Sequence, residues 1–88
     1  MAATQTSERK DDLRLIGRRL CELRRVAGCT QWDIQRESGI NFTRIGAAER
    51  GQVRLKPDEY ELLHKALMKL TYERLSEILD SFTEAVGA

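Results

Sequence analysis

The stretch TQWDIQRESGINFTRIGAAERG, residues 30–51, decides the fold. Thr30-Gln31-Trp32-Asp33 has the outline of a capping box, with Asp in place of the usual Glu, and predicts the start of a short helix. That helix ends at Gly39, a residue that reaches positive φ without a steric penalty. Ile40 is expected to turn inward. Asn41 has the short acceptor side chain of an N-cap, so a further short helix is expected from Phe42 to about Glu49, with Gly51 ending it.

Outward from this stretch the pattern stays helical. Leu13, Ile16, Leu20, Leu23 and Ala27 recur at steps of three and four, one apolar stripe of a helix starting near Asp11 or Asp12 and stopping at Gly28. The small polar residues 1–10 read as a flexible N-terminal arm. After a cation-rich loop, Gln52 to Lys56, Pro57 and Asp58 open a fourth helix carrying Tyr60, Leu62, Leu63, Ala66, Leu67 and Leu70. Thr71 can cap a fifth, with Tyr72, Leu75, Ile78, Leu79, Phe82 and Val86. The expectation is an all-α, five-helix chain: one part over residues 11–70, and a C-terminal helix over 71–88 that packs on the core.

Composition narrows the function. The 88 residues suit one domain, and charged and apolar residues at 33% and 41% fit a packed soluble protein. No run is apolar enough to span a membrane and none resembles a signal-peptide core, so a cytoplasmic protein is expected. Cys21, Cys29 and the lone His64 make neither a disulfide framework nor a zinc set. No nucleophile–base set or Gly-rich phosphate loop is present, so neither an enzyme nor a cofactor is expected. Net charge is only +1, yet residues 1–56 carry +5 and residues 57–88 carry −4, which fits a nucleic-acid face followed by a segment with another task.

Two helices joined through Gly39 could place one helix in a major groove, braced by the other and ringed by phosphate donors. IGRRLCELRRVAGCTQWDIQRESGINFTRIGAAERG with the following KPDEYELLHKAL resembles the lambda-repressor-like helix-turn-helix domain of phage repressors, Cro proteins and xenobiotic-response-element-type regulators. The resemblance covers Leu13 to Leu70, through Ile16, Leu20, Leu23, Arg24, Gly28, Thr30, Gln31, Ile34, Gly39, Ile40, Ile45, Glu49, Gly51, Pro57 and Leu63. Gln35, Ser38 and Ala48 depart from it, where Ala, an apolar residue and a larger apolar residue are usual, and predict looser packing of the second and third helices.

The resemblance makes residues 11–70 the DNA-reading part and puts Phe42, Thr43, Gly46 and Ala47 at base-reading positions, flanked by Arg44 and Arg50; the side chains present point to base reading by Phe42, Thr43, Arg44 and Ala47, with Phe42 equally able to pack and Arg44 equally able to hold phosphate. It implies phosphate contacts from Gln31, Asn41, Arg50, Arg54 and Lys56, and an internal ion pair between Arg24 and Glu49. Gly46 and Ala47 are too small for bidentate bonds, so readout is expected to lean on Thr43, Arg44 and DNA shape. Trp32 is expected either partly exposed near the DNA or packed beside the first helix, with packing favoured. Leu75, Ile78, Leu79 and Phe82 are the expected dimer interface, since such proteins read two half-sites as two-fold dimers. The implied function is a dimeric, sequence-specific transcriptional regulator, a repressor that can control its own operon, with double-stranded DNA as partner. The competing reading is a protein-interaction module or antitoxin on the same scaffold, with weak or no DNA binding and a protein partner.

Overall fold

A computed structural model describes residues 2–87, and the side chains of residues 11–87. It is all-helical, with four helices: α1 (Ala2–Val26), α2 (Gln31–Ser38), α3 (Phe42–Glu49) and α4 (Pro57–Gly87). Among the described residues there is no strand.

Two boundaries differ from the sequence reading. The expected fourth and fifth helices are one, because no Gly or Pro interrupts residues 58–86 and Thr71 sits mid-helix without capping anything. The first helix begins at Ala2, well before Asp11, because residues 2–16 also lack a breaker. The backbone of the expected flexible arm is thus helical from Ala2, while the contacts of its side chains lie outside the described residues.

α2 and α3 each bury one isoleucine completely, Ile34 and Ile45, and these two form the centre of the core. Leu20, Ala27, Cys29, Ile40, Ala48, Leu55, Leu63 and Leu67 close around them. Burying a side chain of this size contributes roughly 1.5–3 kcal/mol, so the small middle helices are held by α1 and α4 more than by their own propensity. Between α2 and α3, Gly39 has φ 78° and donates its N–H to the Gln35 carbonyl. A side-chain-bearing residue would be strained there.

The expected looseness between α2 and α3 is replaced by hydrogen bonds. Gln35 Oε1 accepts the Phe42 N–H at 2.8 Å. Ser38 Oγ donates to the Ile34 carbonyl at 2.6 Å and accepts the Ile40 N–H at 3.1 Å. Ala48 is 2% exposed because Gly17 lets the α1 backbone close onto α3. A Cβ built on Gly17 would lie 2.5 Å from the Ala48 carbonyl oxygen and nearer still to that of Glu49.

α1 and α4 leave an apolar groove of about 360 Å³ between Leu15, Leu20, Leu23, Tyr60, Leu63 and Leu67. Leu23, expected on the buried stripe, is exposed at this groove. Beyond Leu70, α4 leaves the core, and its large apolar side chains are exposed. The molecule is accordingly long, 63 × 23 × 17 Å. No described helix is long and apolar enough to cross a membrane.

Candidate nucleic-acid interface

Thr30 caps α2 through a reciprocal pair. Its hydroxyl accepts the Asp33 N–H at 3.2 Å and its own N–H donates to Asp33 Oδ2 at 2.7 Å. That backbone donor is the main reason the Asp33 carboxyl sits below its ordinary range. The cap aims the first turn of α2, and with it Gln31, across α3. Asn41 caps α3: its Oδ1 accepts the Thr43 N–H at 2.9 Å and also the Thr43 hydroxyl.

Glu49, at the end of α3, ties three helices together. Its carboxylate takes Arg24 Nε at 2.6 Å and a second Arg24 nitrogen at 3.1 Å. It also accepts Gln31 Nε2 at 3.0 Å, and Arg24 reaches the Cys29 carbonyl at 3.3 Å. The Glu49 side chain is 7% exposed. Such a pair contributes little net stability once desolvation is counted, yet it fixes the orientation of what it joins. The Arg24–Glu49 ion pair is thus present, and Gln31 braces it with one of the two N–H groups of its amide. Gly46 makes room for this arrangement, since a Cβ there would press on Gln31 and Arg50 at 3.1–3.4 Å.

Arg44 is placed differently from expectation. Its guanidinium makes a two-point pair with Glu59, both bonds at 2.7 Å, and joins α3 to the start of α4. Glu59 also accepts the Lys56 N–H at 2.9 Å, capping α4 just ahead of Pro57. The Arg44 bond, and then the Lys56 N–H, hold the Glu59 carboxyl down at about 2. Arg44 therefore serves the α3–α4 joint in this structure, with its guanidinium held by Glu59.

Phe42 stacks on Trp32 with ring centroids 4.2 Å apart and planes 28° apart. Phe42 is half-buried by this contact, so it packs. Trp32 is 56% exposed and stacks on Phe42, which fits the exposed alternative better than the packed one. Thr43 is exposed and Ala47 half-buried, leaving a small reading face on α3.

Arg50, Arg54 and Lys56 are exposed, and none is in an ion pair among the described residues; Arg50 Nε donates only to Gln52 Oε1 at 3.2 Å. The sequence reading missed Arg14, whose backbone lies about 3 Å from a Cβ built on Gly51, so α1 adds an exposed cation to this rim. It also missed Glu59 and Gln35 as partners of the third helix. The positive half-chain charge was the only signal that could have included Arg14. Leu75, Ile78, Leu79 and Phe82 are remote from this surface, on the projecting half of α4, and are 52–65% exposed.

Compared with known protein families, with curated proteins and with solved structures, the chain has no match.

Proposed function

We propose that the chain is a homodimeric, sequence-specific DNA-binding regulator, a repressor in the first instance, that presents α3 to the major groove of a palindromic operator. In this reading α2 and α3 form a helix-turn-helix. The observation that carries it is the Glu49 junction: one nearly buried carboxylate locks α1, α2 and α3 in a fixed relation. Beside it, Arg14, Arg50, Arg54 and Lys56 form a cationic rim suited to phosphate. Of the acidic residues in the second half of α4, Asp80 and Glu84 lie on its projecting end, whereas Glu73 and Glu77 line a cleft with Asp33, Arg36 and Glu37 of α2.

The pairing of Arg44 with Glu59 leaves Thr43 and Ala47 as the base-facing side chains, able to meet a thymine methyl. Specificity then comes chiefly from groove shape and the spacing of two half-sites. The test is selection of bound fragments from random DNA at two salt concentrations. One recovered palindrome is the expected result; uniform, salt-sensitive recovery would sink sequence-specific regulation. Arg50→Glu with Arg54→Glu should abolish retention while leaving the helical signal unchanged.

A protein-interaction module or antitoxin on the same scaffold is the second reading, favoured by the exposed Trp32–Phe42 stack and by Arg44 being engaged internally. It requires that the double charge reversal leave activity intact. We read the chain as a cytoplasmic non-enzyme in both cases.

A further inference from the structure

Met68, Tyr72, Leu75, Leu79, Phe82 and Val86 follow one another along α4 at alternating steps of four and three, the spacing of a coiled-coil seam. Each is between 53% and 72% exposed. The flanking positions carry no charge from Thr71 onward: Thr71, Ser76, Ile78 and Thr83 border the seam, while Glu73, Glu77, Asp80 and Glu84 fall on the outer side of the helix. Going towards the N-terminus the seam stops at Met68, because the next positions in step are Lys65 and Glu61.

We propose that a second copy of this chain covers the seam, its α4 running antiparallel, with the two-fold axis crossing the seam at the level of Glu77. The inference rests on the homodimer of the preceding section and is independent of DNA. In this register every seam residue meets another: Met68 faces Val86 of the partner copy, Tyr72 faces Phe82 and Leu75 faces Leu79, each pair met twice about the axis. The two-fold thus closes the patch on itself, as an isologous interface requires.

Area supports the same occupant. At roughly 100 Å² for each large side chain, the seam with Ile78 offers on the order of 600–700 Å² per copy, at the lower end of what stable interfaces bury. Charge selects the orientation. A parallel pair would set the acidic halves of both α4 helices side by side at the same level. In the antiparallel register only Glu77 is level with its own copy: Asp80 comes level with Arg74 of the other helix, and the Glu84 end with Lys69.

The test uses the full chain at micromolar concentration without DNA, in sedimentation equilibrium and small-angle scattering. The expected result is twice the chain mass and a longest dimension on the order of 90 Å, against 63 Å for one copy, given the 1.5 Å rise of the overlapped helices. Leu79→Glu with Phe82→Glu should halve the mass with no loss of helical signal from the head. A dimer no longer than one copy would overturn the antiparallel pairing. A dimer that survives the double substitution would overturn the seam while leaving the homodimer standing. A monomer for the unaltered chain would overturn both.

Discussion

At the scale of single residues, the candidate site depends on Glu49 more than on any side chain that faces outward. Removing its carboxylate leaves Arg24 without its counter-charge and Gln31 without its acceptor. Glu49→Ala should therefore destabilise the fold by about 3 kcal/mol, read from urea unfolding, with Glu49→Gln recovering only part because the Arg24 charge stays unbalanced. Gly17→Ala tests the close approach of α1 to α3. Its methyl has backbone on the other side, which cannot rotate away, so a loss of about 1–3 kcal/mol is expected in the same assay. Glu59 supplies a pH test. Its carboxyl is held at about 2 in the folded state against an ordinary 4.5. The Arg44–Glu59 joint thus contributes its full stability above about pH 4.5, and that contribution fades as pH falls towards 2. Thermal melts across this window should show a steeper acid loss for the unaltered chain than for Glu59→Gln.

At the scale of elements, the turn between α2 and α3 is the most sensitive joint. Gly39→Ala forces a side chain into left-handed backbone and should cost about 1 kcal/mol, detectable as a lowered melting temperature. This joint was legible from sequence because its determinants are local: Thr30, Gly39 and Asn41 each act on backbone groups one to four residues away. Two other features were not. Arg44 with Glu59 and Gln35 with Phe42 are pairings that spacing alone does not announce, since a long polar side chain has several reachable partners. The break read at Thr71 has a different origin. Leu63, Ala66, Leu67 and Leu70 face the core, whereas Tyr72, Leu75, Leu79 and Phe82 lie on another side of the same helix. A change of apolar face midway along one uninterrupted helix has the same sequence signature as two helices meeting at a corner.

At the scale of the whole molecule, a cationic head and an acidic projecting helix separate the two proposed tasks. If the second copy is part of the stable state, the melting temperature should rise with protein concentration, and the rise should vanish in the Leu79→Glu, Phe82→Glu chain. Salt acts on the other task. Each cation lost from the rim should lower the slope of log affinity against log salt by about 1, so Arg54→Ala measured in DNA titrations at several ionic strengths should flatten that slope.

The stacked Trp32 and Phe42 give the molecule a built-in optical reporter. Trp32 is the sole indole of the chain, more than half open to water, and it sits at the joint of the two helices that flank the candidate interface. Its emission therefore monitors that one joint. A ligand docking across α2 and α3 changes the water around the indole and shifts its fluorescence without any attached dye, whereas association through the far half of α4 leaves the signal where it was.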